Sequence, residues 1–307
     1  MKKLWQDPRK RNFLIASAAS LAAAGLGTYL YASQIESRRY RLDSIRVNTG
    51  ANREQESRED ELMRLRILHI SDLHLSKPES HKLEFLKKAT EPQYDLIVIT
   101  GDIFEDYSGI EYADRIISTK PRLGAVAVLG NHDYFAYNMF HRTIGRFFRQ
   151  WRSPKNKRDV RPMITALEDV GITVLQNSVL SFPHEKLQII GIDYPGIADE
   201  LLEKLAKQSP EDHLLLTLMH MPDRLERLQK AGVDLAFGGH THGGQVRLPF
   251  FGPLMTNSDL PRHEASGLIW RGATAIHVSR GVGADPRTNF RLFCPPHGSI
   301  IEVCHRK

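Results

Sequence analysis

The chain has 307 residues, of which 41% are apolar and 25% charged, and it carries a net charge of +6. These fractions are ordinary for a globular protein of one large domain or two small ones. The positive charge fits an acidic partner such as nucleic acid, anionic lipid or a phosphorylated small molecule, or else a basic solvated surface. No zinc-finger or helix-turn-helix spacing occurs, which argues against a nucleic-acid-binding module.

The N-terminal 33 residues indicate a membrane or export segment. A basic tail, residues 1–11, precedes an apolar segment at residues 12–33, which carries no charge from residue 13 onward. As a helix, residues 13–33 would span about 31 Å, close to the thickness of a bilayer hydrocarbon core. The segment is therefore predicted to be a transmembrane anchor or a signal peptide.

The orientation of this segment is not decided by charge. Five Lys or Arg residues precede it, and five follow within about 20 residues, so the positive-inside rule gives no direction. The stretch "KRNFL" at residues 10–14 resembles a twin-arginine export signal with Lys in place of the first Arg. Two locations stay open: a single-pass anchor, with the bacterial inner membrane favoured, or export by a twin-arginine-like route.

Residues 34–64 are predicted to form a polar linker, and residues 65–307 a single α/β domain. Short apolar runs alternate there with helical patterns, which indicates buried strands separated by helices. The runs begin at residues 65, 95, 124, 186, 214, 234, 275 and 299, and the helical patterns cover 83–89, 112–118, 198–207 and 223–231. The two cysteines, Cys294 and Cys304, are too few for a disulfide framework and are predicted to be free buried thiols, or one disulfide in an oxidising compartment.

Polar clusters follow five of the apolar runs, each just after the run ends. The candidate site residues in them are Asp72 and His74 in "SDLH", Asp102 in "TGD", Asn131 and His132 in "GNHD", His220 in "MHMPD", and His240 and His242 in "GGHTHGG". In open α/β sheets, sites are built at the edge where the carboxyl ends of the strands meet. Asp72 and His74 are two residues apart, so in an extended segment both could reach one ion.

Each cluster alone has an ordinary structural interpretation. A single His after a strand is more often hydrogen-bonded than metal-bound, and Gly-Asp is usually a turn. Five clusters in this order, all at strand ends, instead predict one metal site. The donors are nitrogen and oxygen without thiolate, which suits Mn²⁺, Fe or Zn²⁺, whereas so many imidazoles disfavour Mg²⁺.

The set D-x-H, G-D, G-N-H-D, H and G-H-x-H resembles the motifs of the calcineurin-like metallophosphoesterases, from residue 65 to about residue 303. The resemblance implies a four-layer αββα sandwich and two divalent metal ions, Mn²⁺ being favoured. By position, it assigns Asp72, His74 and His242 to one metal, Asn131, His220 and His240 to the other, and Asp102 as the bridging ligand.

The resemblance also implies the reaction, which is hydrolysis of a phosphoester or pyrophosphate. A hydroxide shared by the two metals would attack phosphorus in line. His132 is not a ligand in this pattern; it would stabilise the transition-state charge and help to protonate the leaving oxygen. Asp133 could orient that imidazole or be purely structural. A scaffold that binds phosphoesters without cutting them is the alternative from another class, and the complete ligand set argues against it.

Residues 134–161 are a candidate lid beside the metals. A helix there would carry aromatic side chains on one face and arginines on the other. The residues proposed to contact substrate are Phe147, Phe148 and Trp151 on the first face, and Arg142, Arg146 and Arg149 on the second. Such a helix could lie in a membrane interface, or it could pack its apolar face on the domain.

The leader, together with "ITVLQNSV" and "GGHTHGGQVRLPFFGPL", is similar to a membrane-tethered subgroup of this family. One branch of the subgroup comprises UDP-2,3-diacylglucosamine pyrophosphatases, which release UMP and lipid X in lipid A synthesis. Other members resemble exported phosphodiesterases that act on envelope phosphoesters. The first branch is the specific prediction for the substrate and the second is the alternative.

Overall fold

The structure is a computed structural model that describes residues 7–50, 62–76, 79–137, 157–256, 258–284 and 289–306. The strands are β1 (Arg41–Gly50), β2 (Leu62–Ile70), β3 (Leu96–Thr100), β4 (Ala125–Val128), β5 (Ile172–Val174), β6 (Ser178–Phe182), β7 (Leu187–Ile192), β8 (Leu214–Met219), β9 (Leu235–Gly238), β10 (Arg247–Leu248), β11 (Gly252–Pro253), β12 (Gly267–Arg271), β13 (Thr274–Val278) and β14 (His297–Arg306). The α-helices are α1 (Pro8–Leu30), α2 (Ser80–Thr90), α3 (Asn131–Tyr134), α4 (Arg161–Asp169), α5 (Asp199–Ala206) and α6 (Glu226–Lys230).

Twelve of these strands form two six-stranded sheets. The first sheet has the order β1-β14-β2-β3-β4-β5, and the second has the order β12-β13-β9-β8-β7-β6. Strands β2 to β5 run parallel, as do β7, β8, β9 and β13. Each sheet therefore presents the carboxyl ends of several adjacent strands at one edge. The predicted site residues lie in the loops that leave these strand ends.

The two sheets pack face to face because their strands alternate apolar side chains between two buried faces. In β3, Leu96 and Val98 point into the core between the sheets, whereas Ile97 and Ile99 pack against the outer layer. In β8, Leu216 faces the inter-sheet core and Leu215 faces the helices. This double burial explains why both strands read as continuous apolar runs in the sequence.

Helices cover the outer face of each sheet. Leu86 of α2 and Leu167 of α4 pack on the first sheet, and Leu202 of α5 and Leu228 of α6 pack on the second. The predicted four-layer αββα architecture and the α/β class are thereby confirmed. The helical pattern at residues 112–118 corresponds to a 3₁₀ segment at Tyr107–Arg115.

The polar linker predicted at residues 34–64 is wrong for residues 62–64, which begin strand β2, and for Arg41–Gly50, which is strand β1. This strand pairs in parallel with β14 over ten residues and buries Val47 in the inter-sheet core. The folded domain therefore begins before residue 65. The remainder of the polar run, residues 51–61, lies outside the described residues.

Helix α1 differs from the other helices because none of its side chains is buried by the domain. Asp7 caps its first turn by accepting a hydrogen bond from the backbone N–H of Arg9 at 3.0 Å. The helical region Pro8–Arg38 is long and apolar enough to cross a membrane. In the described part of the chain, Cys294 is buried, Cys304 is half-buried, and both are free thiols.

Because Val47 is a core residue, Val47→Ala should lower the free energy of unfolding by about 1–3 kcal/mol, the scale for removing buried methyl groups. Leu42→Ala, in an exposed position of the same strand, should change it by less than about 0.5 kcal/mol. Denaturant unfolding of the full chain in detergent measures both. Equal, negligible effects would contradict a core role for β1.

Candidate metal centre

The predicted metal-binding side chains all lie where strands end, on loops that leave the sheet edge sharply. Five of the seven have backbone φ angles in the left-handed region: Asp72 (52°), His74 (46°), Asp102 (50°), His240 (67°) and His242 (49°). Non-glycine residues adopt this region at a cost of about 1 kcal/mol or more each. Asp72 and His74 thus converge through a kinked loop rather than through the extended segment expected from their spacing.

Two glycines allow the loops to approach closely. A Cβ added at Gly239 would lie 2.0 Å from Ser71 Oγ, and one at Gly130 would lie 2.3 Å from Asp102 Oδ1. Any side chain at these positions would push the loops apart. The glycines before His240 and Asn131 are therefore required by packing around the carboxylates.

The first cluster consists of Asp72, His74 and His242, and their ligand atoms lie within 4.8 Å of one another. The Nε2 atoms of His74 and His242 are 3.3 Å apart, and His242 Nε2 is 3.4 Å from Asp72 Oδ1. Two imidazole nitrogens and a carboxylate oxygen thus converge on one point, as a dication would require. The structure brings together the three residues assigned to the first metal.

The second cluster contains Asp102, His220 and His240. His220 Nε2 lies 3.2 Å from His240 Nδ1 and 3.1 Å from Asn131 Oδ1. The amide of Asn131 therefore adds a neutral oxygen to this cluster. All members of the second predicted ligand set are adjacent.

Asp102 stands between the clusters. Its Oδ2 lies 3.3 Å from His220 Nε2 in the second cluster and 3.8 Å from His74 Nε2 in the first. A carboxylate in contact with donors of both clusters fits the predicted bridging position. The residues present therefore suit two cations that share one ligand.

The electrostatics favour cations at this site. Asp72 and Asp102 are buried, and burial raises the pKa of Asp72. Burial acts in the same direction on Asp102, but His220, His132 and His74 hold its pKa well below the usual range. Burial lowers the pKa of His220, yet Asp102 outweighs it and raises that pKa to about 9. A buried carboxylate that raises the pKa of a neighbouring imidazole in this way is suited to neutralisation by metal.

Protein groups contact the outer nitrogens of three of the histidines, His74, His220 and His242. His220 Nδ1 lies 2.8 Å from the backbone oxygen of Thr100, and His74 Nδ1 lies 3.0 Å from Glu105 Oε2. Arg291, which is fully buried, places Nη2 3.4 Å from His242 Nδ1 and donates to the backbone oxygen of Arg280 at 2.8 Å. Such outer contacts fix ring orientation.

His132 sits beside the two clusters with its ring fixed on both sides. Its Nδ1 donates to Glu105 Oε2 at 2.9 Å, and its backbone N–H donates to Asp102 Oδ1 at 2.7 Å. Tyr137 stacks on the ring at 4.6 Å, and Arg158 donates to the His132 backbone oxygen at 2.7 Å. The imidazole is thus oriented at the edge of the candidate metal centre.

Glu105 is the residue that the sequence interpretation missed. One of its oxygens accepts from both His74 and His132, and although burial opposes this, the two imidazoles hold the pKa of Glu105 far below its usual range. Asp133, considered for this orienting role, instead accepts backbone N–H groups of Gly130 and Phe104, both at 2.8 Å. The sequence feature that could have indicated Glu105 is its position three residues after Asp102, in "GDIFED".

The candidate lid is described at its two ends alone. Phe135 and Lys157 form an antiparallel bridge, and Lys157 Nζ lies 4.5 Å from the centre of the Tyr134 ring. The residues proposed to contact substrate, Arg142, Arg146, Phe147, Phe148, Arg149 and Trp151, lie outside the described residues. Both ends of the segment meet next to His132.

A four-layer αββα sandwich with two clusters of nitrogen and oxygen donors at the sheet edge defines the class of metal-dependent phosphoesterases. Residues 65–244 match the model of the calcineurin-like phosphoesterase family. The chain belongs to that family and is a hydrolase.

Three relatives match nearly the whole chain. The chain is 28% identical to the metallophosphoesterase YkuE of Bacillus subtilis, over 99% of both chains. It is 27% identical to the phosphodiesterase YaeI of Escherichia coli, over 96% of this chain and 98% of the relative. It is 28% identical to the UDP-2,3-diacylglucosamine pyrophosphatase LpxG of Chlamydia trachomatis, over 95% of this chain and 97% of the relative.

Replacing Glu105 by Gln should lower metal affinity or turnover roughly 10–100-fold, the usual scale for a residue that orients a ligand. The cause is that a neutral amide oxygen is a weaker acceptor for the N–H groups of His74 and His132. Metal titration and hydrolysis of a soluble phosphodiester measure the two effects. Glu111→Gln, at an exposed position of the nearby 3₁₀ segment, is the control. If the two variants behave alike, Glu105 does not position the site.

Proposed function

We propose that the chain is a two-metal hydrolase of phosphoesters or pyrophosphates that works at a membrane. The observation that supports it most is the pair of donor clusters joined through Asp102, with His132 fixed beside them. We assign Asp72, His74 and His242 to one metal, and Asn131, His220 and His240 to the other. The donor set suits Mn²⁺, Fe or Zn²⁺. Of these we propose Mn²⁺, on the family resemblance.

Bound divalent cations would supply charge for the phosphoryl oxygens and lower the pKa of the attacking water. The protein's own part is to hold the cations around Asp102 and to supply the proton for the leaving group. The Nδ1 of His132 is bonded to Glu105, so the imidazole acts through Nε2. In this position it would protonate the leaving oxygen and stabilise negative charge in the transition state.

For the substrate, we propose the pyrophosphate bond of UDP-2,3-diacylglucosamine, cleaved to UMP and lipid X. Support comes from the LpxG relative, which matches over 95% of this chain, and from the apolar helix α1, which would keep the site near lipids. The YaeI relative supports the second candidate, an exported phosphodiesterase acting on envelope phosphoesters.

We further propose that the leader is retained as a single-pass anchor. The residues after α1 are part of the folded domain, since Ala32, Ser33, Glu36 and Ser37 are buried. The backbone N–H of Arg291 donates to the backbone oxygen of Ala32 at 3.1 Å. Cleavage after residue 33, as for a signal peptide, would remove this contact.

Hydrolysis of bis-p-nitrophenyl phosphate should require Mn²⁺ and be abolished by EDTA. His132→Ala should keep near-normal metal content while turnover falls roughly 10²–10⁴-fold, the range for losing a general acid. Metal content of the purified protein and steady-state rates are the measurements. Absence of metal-dependent turnover on any phosphoester would contradict the proposed two-metal hydrolysis. Loss of both metal and activity in His132→Ala would instead show that His132 has a structural role.

The mature protein should keep its complete N-terminus, which intact-mass measurement on membrane-extracted protein will show. A reporter fused to the C-terminus then gives the side of the membrane. A cytoplasmic domain favours the nucleotide-lipid substrate, and an outward-facing domain favours the envelope phosphodiester. A mass that lacks the first 33 residues would contradict the anchor.

A further inference from the structure

Large apolar side chains are exposed on the short hairpin that follows the metal-binding motif "GGHTHGG". Strands β10 and β11 are joined by a turn at whose tip Phe250 is completely exposed and Phe251 is 75% exposed. Further apolar residues that are exposed on this hairpin and on the adjacent loop are Leu248, Leu254, Met255 and Phe293. Contiguous exposure of this kind marks a surface that contacts an apolar partner.

Backbone hydrogen bonds join the hairpin to the loop at residues 290–292, and this loop also contacts the end of the leader. The backbone N–H of Arg247 donates to the backbone oxygen of Leu292 at 2.9 Å, and the backbone N–H of Leu292 donates to the backbone oxygen of Gln245 at 3.0 Å. The preceding residue, Arg291, donates its backbone N–H to the backbone oxygen of Ala32 at the end of the leader. The loop thus lies between the hairpin and the anchor.

An aromatic contact adds to this connection. The rings of Tyr29, in the last turn of α1, and Phe290 are stacked at 6.0 Å. Phe250 lies three residues beyond Arg247, which at about 3.5 Å per residue places the hairpin tip within roughly 10 Å of the residue bonded to Leu292. The exposed phenylalanines therefore share a neighbourhood with the point where the anchor meets the domain.

A lipid surface fits this patch better than a protein surface does. Aromatic and aliphatic side chains at a hairpin tip can enter the interfacial zone of a bilayer, where aromatic rings concentrate. Arg262 is exposed on the 3₁₀ turn Arg262–Glu264, which packs on β11, and it adds a positive charge beside the patch. Positive charge at a membrane surface favours anionic lipids.

We propose that the β10–β11 hairpin is a second membrane contact, which inserts Phe250 and Phe251 into the bilayer interface beside the anchor. This proposal rests on the proposed function, because it requires α1 to span the membrane. Four residues separate His242 from Arg247. Insertion would therefore hold the metal centre at the depth of lipid headgroups, so the substrate class is a phosphoester borne by a membrane lipid.

Spin labels on the full chain in phosphatidylglycerol-containing nanodiscs test this insertion directly. Labels at Phe250→Cys and Phe251→Cys should be relaxed strongly by oxygen, which partitions into lipid, and weakly by an aqueous nickel complex. Glu211→Cys is the control, because Glu211 is exposed beyond the opposite ends of the strands. Labelled wild-type protein corrects for reaction at Cys294 and Cys304.

Three results are distinguishable. Oxygen-dominated relaxation at the hairpin with nickel-dominated relaxation at residue 211 supports insertion. Nickel-dominated relaxation at both places overturns it, and so does protection from both reagents at the hairpin, which would mean contact with protein. None of these readouts depends on catalysis, so they separate failure of the insertion from failure of the proposed reaction.

A second variant tests whether the membrane contact of the hairpin is needed for hydrolysis of a lipid substrate. Phe250→Asp/Phe251→Asp should reduce hydrolysis of a bilayer-embedded nucleotide lipid at least 10-fold and leave hydrolysis of bis-p-nitrophenyl phosphate within 2-fold, on the order expected for losing a surface contact. Leu201→Asp, at an exposed apolar position on α5, is the matched control. Equal rates for both variants on the lipid substrate would contradict the proposal.

Discussion

Two carboxylates buried at one sheet edge are the constraint on which this structure depends. Asp72 lies beside His242 and Asp102 beside His74, the two imidazoles are themselves adjacent, and neither carboxylate contacts solvent appreciably. Buried anions in such proximity require compensating positive charge. The imidazoles supply part of it as protons, and two divalent cations would supply it fully. The loops, glycines and outer hydrogen bonds around the site are arranged to satisfy that requirement.

The same constraint accounts for the backbone conformation at the site. Five predicted metal-binding residues are held at left-handed φ angles, which a chain adopts only when its surroundings enforce them. The rigid parallel strands behind the loops provide that enforcement. Metal binding to the folded form alone would then stabilise the whole domain by mass action. Glu105 contributes by orienting a candidate ligand, His74, together with the candidate acid, His132.

Much of the fold and most of the site could be predicted from sequence because both depend on strongly patterned segments. Strands such as β3 and β8 are buried on both faces and read as uninterrupted apolar runs, with the candidate ligands directly after them. Strand β1 escaped prediction because it is a polar edge strand whose pairing with β14 outweighs its composition. Glu105 escaped because its role depends on the meeting of two distant loops, which spacing alone does not reveal.

The position of β1 changes how the enzyme would encounter its substrate. The leader passes into β1 within about ten residues, and β1 is already part of the first sheet. Strands β1 and β2 both belong to this sheet, so the domain begins at β1 rather than at residue 65. In the proposed anchored state, a domain attached this closely would sweep only a small volume of solution. It would meet molecules that diffuse laterally in the membrane, and its encounters would then be a two-dimensional search in which substrate is counted per area rather than per volume.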